Sequence, residues 1–346
     1  MNTTLPKIGI SMGDPAGIGP EIAAKTLALR NVYDYCRPLV VGDAACMEQA
    51  CRIAGTDLRV RPVSAVKDAG FEYGTIDVFD LGNVDMGELR HGRVSAMAGN
   101  AAFEAVRKVI ELALANEIDA TVTGPLNKEA INLAGHHYTG HTEIYAHYTN
   151  TKDYTMMLAE GALRVVHVTT HVSLREACDL CKRERVLTVI KLAFEAMKSF
   201  GVGNPRIGVA GLNPHASDGG LFGWEEEREI IPAIAEAKKL GIDVEGPVPA
   251  DTLFSKARGG WFDIVVAMYH DQGHIPLKVV GFTWNEKEKK WNSVSGINVT
   301  LGLPIIRASV DHGTAFGKAG KGTANPESLI IAMEYAAKFA GAGMGK

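Results

Sequence analysis

Hydrophobic positions along the chain follow two alternating rhythms. Short, mostly apolar runs occur at 8–12, 38–41, 120–123, 163–169, 206–210 and 264–268. Each is too short for a buried helix and predicts a strand. Between them lie longer stretches with apolar residues at helical spacing. Residues 98–116 place Phe103, Val106, Ile110 and Leu114 on one face, 184–200 form a second amphipathic helix, and 327–339 close the chain as a third. Pro20-Glu21-Ile22 reads as a helix start, because proline's missing N–H costs nothing in a first turn. Strands alternating with helices predict an α/β fold, with mostly parallel sheets covered by helices on both faces. One stretch breaks the rhythm: 283–295 is charged and bounded by Trp284 and Trp291. It reads as a solvated loop, with a hairpin excursion or lid as the alternative.

Composition narrows the class. With 346 residues, 46% apolar and 22% charged, the chain can bury two domains' worth of core or one large α/β unit. A net charge of −4 gives no support for a nucleic-acid or anionic-membrane partner. No apolar stretch of about 18 residues is present, and the opening MNTTLPKIGISMGDPAG lacks the core of a signal peptide. A cytoplasmic protein is the expectation. The five cysteines (Cys36, Cys46, Cys51, Cys178, Cys181) form no disulfide framework. The CDLC at 178–181 has no second pair to complete a zinc site and reads as ordinary helix.

The unusual polar residues cluster just past the predicted strands, where ligands gather in α/β sheets. Three of those loops carry a histidine: His171 after 163–169, His215 after 206–210 and His270 after 264–268. Three imidazoles with an open position suit a catalytic divalent metal, zinc best, with magnesium, manganese, cobalt and nickel as other candidates. A metal-dependent hydrolase or aldolase could use the same trio. The first loop, GDPAGIGPEI, lacks the third glycine of a dinucleotide fingerprint. It reads either as an anion seat at a helix N-terminus or as a tight turn needing glycine.

The C-terminal DHGTAFGKAGKGTANPESLI, 311–330, resembles the HGSAPDIAGKGIANP stretch of isocitrate and isopropylmalate dehydrogenases. In those enzymes the stretch surrounds the adenosine of the cofactor. The resemblance implies NAD or NADP binding through His312, Gly313, Thr314, Ala324 and Asn325. It argues against the hydrolase or aldolase, since neither needs a dinucleotide.

Taken together, GDPAGIGPEI (13–22), GPLNKEAI (124–131), GHTE (140–143), TTH (169–171), GLNPHA (211–216), GPVPADTLF (246–254), AMYHDQG (267–273), GINVTLGLPIIR (296–307) and VDHGTAF (310–316) resemble the 4-hydroxythreonine-4-phosphate dehydrogenase family of vitamin B6 biosynthesis. That resemblance implies an isocitrate-dehydrogenase-like fold of two α/β/α domains with the active site in the interdomain cleft. It further implies a homodimer with a shared active site and a phosphorylated small-molecule substrate. The expected domains are 1–130 with 296–346 on the cofactor side, and 131–295 for metal, substrate and dimerisation. The metal ligands correspond to His171, His215 and His270, and the dimeric family suggests that they do not all come from one chain. Substrate contacts correspond to His141, Thr142, Lys278, Asn298 and Arg307, and Asp251 falls near the metal. Lys278 is open to two roles, general base or phosphate anchor.

The biosynthetic enzymes read YHDQGLPVLK where this chain reads YHDQGHIPLK, with His274. This version resembles a branch acting on D-threonate or D-erythronate 4-phosphate. A further branch oxidises an aromatic cis-dihydrodiol dicarboxylate and is the alternative. The expected reaction is metal-dependent NAD(P)-linked oxidation of a 3-hydroxy acid at C3, followed by loss of CO₂.

Overall fold

The computed structural model describes residues 5–286, 289–294 and 296–342. The chain forms two compact units, residues 1–152 with 303–346, and residues 153–302. The expected breaks after 130 and 295 thus move later in the chain. The helix His141–Tyr148 belongs to the first unit because Ile144 and Tyr145 pack into that unit's core.

The first unit holds six strands: β1 (Lys7–Ser11), β2 (Arg37–Gly42), β3 (Arg59–Val63), β4 (Thr75–Asp80), β5 (Ala120–Thr123) and β14 (Arg307–Val310). Their order is β3-β4-β2-β1-β5-β14, and every pairing is parallel. β5 is buried throughout, as expected of a strand with helices on both faces. Ser95 caps the helix Ala96–Leu114, its hydroxyl accepting from the Ala98 amide. Phe103, Val106 and Ile110 enter the core as the spacing predicts. Each side chain contributes about 1.5–3 kcal/mol by leaving water. Leu114 differs: at the last turn it faces solvent, 44% exposed.

The second unit holds β6 (Thr155–Glu160), β7 (Leu163–His167), β8 (Ile207–Ala210), β9 (Val244–Val248), β10 (Ile264–Ala267) and β13 (Ile297–Leu301). Their order is β13-β6-β7-β10-β8-β9. The pairs β6–β7 and β6–β13 are antiparallel and the rest parallel. The tight β6–β7 hairpin is what makes this sheet mixed, since only antiparallel strands can join through so short a turn. In the stretch 283–295 the solvated-loop reading gives way to the hairpin. β11 (Phe282–Asn285) and β12 (Lys290–Val294) pair antiparallel, with Trp284 opposite Trp291. The end of that stretch, Ser295, lies outside the described residues, as do 287 and 288. Among the described residues no helix is long and apolar enough to cross a membrane.

Candidate active site

In the first unit, parallel register brings the loops after β1, β5 and β14 to one edge. The GDPAGIG loop is built as a tight turn. Gly13 has φ +77°, and a Cβ there would lie 2.6 Å from the Pro125 carbonyl. Four of its amides have partners within the protein. Asp14 donates to Pro125 O, Gly17 to Asp14 O, Ile18 to Thr314 O, and Ala16 to the Asp14 carboxylate. The loop therefore ties the strand ends together, as the tight-turn reading expects.

The Ile18–Thr314 bond joins this loop to the segment expected to surround the cofactor. Glu21 and Lys25 hold the same segment from the helix Gly19–Leu27. Glu21 Oε1 accepts from the Ala324 amide at 2.7 Å, and Lys25 Nζ donates to the carbonyls of Gly322 and Ala324 and to Glu21. Thr314 is buried, while Gly313 and Asn325 are more open. The His312 Nδ1 lies 3.0 Å from the Gly313 carbonyl, and Asn325 accepts from the Glu327 amide. Sequence reading passed over Glu21 and Lys25. Glu21 figured there only as part of a helix start, yet it is 3% exposed and paired with Lys25 at i,i+4.

Arg307, at the start of β14, is 3% exposed. Its guanidinium donates to Thr142 Oγ1 at 3.1 Å and lies 5.3 Å from the Tyr145 ring centre. Burial lowers its pKa to about 10, so it remains a cation at neutral pH. His141 and Thr142 form the first turn of the helix His141–Tyr148, whose N-cap Gly140 supplies no side chain to its amides. Burial, and then the Arg307 charge, hold the His141 imidazole well below its ordinary pKa. Its Nε2 is buried with no hydrogen-bond partner among the described residues. A buried guanidinium, a neutral imidazole and a helix N-terminus together suit a phosphate or carboxylate.

In the second unit, His171 follows β7 and His270 opens the helix His270–Gly281. Their ring centres are 5.6 Å apart, and both line a cavity of about 290 Å³ with Thr170, Val172, Tyr269 and Asp271. His215 lies on a different turn, Pro214–Asp218, where His215, Ala216, Ser217 and Asp218 all have positive φ. Four successive left-handed residues store backbone strain, which the buried Ser217 helps to hold through bonds to Gly220 N and Gly223 O. Among the described residues no three histidine, cysteine, aspartate or glutamate side chains come together to hold a metal ion. The described residues therefore do not bring the three expected histidine ligands together. His171 and His270 approach each other, while His215 faces solvent, 62% exposed.

The chemistry of these rings nevertheless suits a metal. His270 Nδ1 lies 2.6 Å from Asp271 Oδ1, and His215 Nδ1 lies 3.1 Å from Asp218 Oδ2. Carboxylates only accept, so each Nδ1 carries the proton and each Nε2 keeps a lone pair for a cation. Sequence reading missed both carboxylates, although Asp271 adjoins His270 and Asp218 sits three residues past His215. Gln272 links the two loops: its carbonyl accepts from Met268 N and its amide donates to Gly211 O, both at 2.7 Å.

Lys278 lies two turns along the helix from His270, its ammonium 4.5 Å from the Phe282 ring centre. Asn298, on β13, turns its amide to the Met156 sulfur. Asp251 is exposed in the first turn of Ala250–Arg258, a helix that packs beside the His215 turn. The CDLC cysteines form no disulfide: Cys178 donates to Leu174 O, and buried Cys181 donates to the Met268 sulfur.

The fold and these loops match a known family. Residues 34–336 match the pyridoxal phosphate biosynthetic protein PdxA. The chain belongs to the PdxA family and, with it, to the dehydrogenases. It is 48% identical over 341 residues to the D-threonate 4-phosphate dehydrogenase of Cupriavidus necator, covering 98% of this chain and 99% of that one. Two crystal structures of 4-hydroxythreonine-4-phosphate dehydrogenases superpose on it. The Burkholderia phymatum protein has TM-score 0.84 and 46% identity, covering 97% of this chain and 99% of that one. The Klebsiella pneumoniae protein has TM-score 0.85 and 44% identity, covering 98% and 99%.

Proposed function

We propose that this chain catalyses the metal-dependent, NAD(P)-linked oxidation and decarboxylation of a phosphorylated 3-hydroxy acid, with D-threonate or D-erythronate 4-phosphate as substrate. The buried Arg307 guanidinium at the N-terminus of His141–Tyr148 carries the reading. A buried guanidinium beside Thr142, at a helix N-terminus that also carries a neutral imidazole, presents a planar set of donors that fits a phosphate. The end-to-end similarity to the Cupriavidus necator enzyme supports the sugar-acid branch.

Arg307, Thr142 and His141 hold the phosphate in this reading. His171 and His270, with His215 contributed from a second copy of the chain, are the residues for a divalent metal, zinc foremost. When bound, such a metal polarises the substrate's hydroxyl and carboxylate oxygens. A bound nicotinamide nucleotide, seated by the segment 312–325, supplies the hydride acceptor. With the phosphate assigned to Arg307, Lys278 takes the C3 hydroxyl proton as C3 gives up its hydride. The resulting β-keto acid loses C1 as CO₂, and the electron pair left on C2 takes a proton to give a hydroxyketone phosphate. Asn298 orients the substrate by neutral hydrogen bonds, and Asp251 supports the His215 turn.

The test is turnover of D-threonate 4-phosphate, D-erythronate 4-phosphate and 4-phosphohydroxy-L-threonine with NAD⁺ and with NADP⁺. One CO₂ per reduced nicotinamide is expected, with a sugar-acid phosphate as the best substrate. Arg307→Lys keeps the charge but loses the planar fork, and KM should rise about 10–100-fold with kcat changed far less. Equal turnover of unphosphorylated D-threonate would remove the phosphate role and the reading with it.

A further inference from the structure

Near its end, the segment 312–325 runs through two glycines in left-handed conformations, Gly320 at φ +74° and Gly322 at φ +68°. A Cβ at Gly320 would fall 2.9 Å from the His91 ring, and one at Gly322 would fall 2.5 Å from the Ile53 carbonyl oxygen. Only glycine fits such places, and glycine gives the unheld backbone many other shapes. The bonds inside the segment are local turns, Lys318 N to Ala315 O and Lys321 N to Lys318 O. What fixes 322–324 comes from outside it. Lys25 Nζ donates to the carbonyls of Gly322 at 2.8 Å and Ala324 at 2.7 Å, and to Glu21 Oε1 at 2.9 Å. An ammonium has three donors, so all three are engaged. Glu21 Oε1 also accepts from the Ala324 amide at 2.7 Å. Glu21 and Ala324 are each 3% exposed, so these bonds are shielded from water. One residue before the helix Gly19–Leu27, Ile18 N donates to Thr314 O. This helix and its N-cap therefore grip the segment near both ends.

We propose that Lys25, acting with Glu21, is a positioning residue for the nicotinamide nucleotide. It fixes the backbone of 322–324 in the single shape that the cofactor binds. The proposal rests on the reading of 312–325 as the cofactor segment, and names the device that shapes it. The Gly322 and Ala324 carbonyls and the Ala324 amide turn inward to Lys25 and Glu21. The exposed side of the segment, with Gly313 and Asn325, is the side that can meet a ligand. A segment that samples several shapes must be ordered before it binds, and that ordering lowers affinity. It does not slow the chemistry once the cofactor is seated. Lys25 and Glu21 lie under the segment, so they act through it and not by touching the nucleotide.

The experiment titrates NADH and NADPH, by their fluorescence, into the wild type, Lys25→Met and Glu21→Gln. Inorganic phosphate is titrated into the same proteins by calorimetry, because Arg307 lies in the same unit and reports on that unit's general integrity. Lys25→Met fills similar space without donors. It should raise the Kd of the preferred nucleotide about tenfold or more, since it removes charge-assisted bonds to two carbonyls. The KM for the oxidised nucleotide should rise in step, with kcat at saturating cofactor changed far less. Glu21→Gln keeps an acceptor for Ala324 but weakens the hold on Lys25, and should shift Kd in the same direction by less. The Kd of phosphate should not move in either variant. An unchanged nucleotide Kd in folded Lys25→Met would overturn the inference. So would equal weakening of nucleotide and phosphate, or a fall in kcat as large as the loss of affinity. If Lys25→Met does not fold, Glu21→Gln decides by the same comparison. A wild type that binds neither nucleotide overturns the cofactor reading itself. A wild type that binds one, with variants that bind it as tightly, overturns only the role of Lys25 and Glu21.

Discussion

At the scale of single residues, burial and partner chemistry decide what a side chain does. Asp14 is fully buried, one carboxylate oxygen accepts from Ala16 N, and the other has no hydrogen-bond partner among the described residues. Burial pushes its carboxyl up to about 6 from 3.8. The folded state therefore holds this proton more tightly than the unfolded chain. Below pH 3.8 both states are protonated and burial of the charge costs nothing. Between there and about pH 6 the unfolded chain ionises first, and above pH 6 the penalty is complete. Asp14→Asn keeps the acceptor for Ala16 and removes the charge. It should stabilise the protein at pH 7.5 by up to about 3 kcal/mol, at about 1.4 kcal/mol per pH unit, and by almost nothing at pH 4. Urea unfolding at the two pH values checks this, and an equal effect at both would exclude ionisation as the cause. Asp14 was legible in the sequence only as part of a Gly-rich turn. Its isolation depends on which loops close over it, and these lie more than a hundred residues away.

At the scale of elements, the same polar group can serve two loops. Gln272 spans from the end of β10 to the end of β8 and is 8% exposed, so water cannot replace its bonds. Gln272→Leu should leave Met268 N–H and Gly211 C=O unsatisfied, at a cost of about 1–3 kcal/mol each. Denaturant midpoints should drop accordingly, and metal affinity should fall because the His270 and His215 loops lose their tie. A variant with native stability would show that the tie is dispensable. The hydrophobic rhythm predicted the strands and helices that carry these loops, since run length and period together separate a four-residue buried run from an amphipathic helix. It did not separate a hairpin from a solvated loop at 283–295, because a ribbon of charged residues and isolated tryptophans has no apolar face to set a period.

At the scale of the whole molecule, one chain brings His171 near His270 and leaves His215 exposed. Under the proposed function, a metal centre drawing on a second copy would make activity depend on assembly. Chelation should abolish turnover and added divalent metal should restore it. Dilution below the dimer dissociation constant should lower both specific activity and metal content, as followed by light scattering and elemental analysis. A fully active, metal-loaded monomer would exclude the shared centre. What the sequence alone determined is the family, the alternating α/β order and the identity of the polar loops, because local spacing and ordered motifs survive without coordinates. Tertiary structure decided the rest. It tied the Asp14 and Ile18 amides of the GDPAGIG loop to two distant loops and gave two of the three histidines a carboxylate. It buried Arg307 and stacked His274 against His270, and among the described residues it did not bring the three histidines together. Those outcomes depend on which distant segments share a sheet edge, and no spacing along one strand or helix records that.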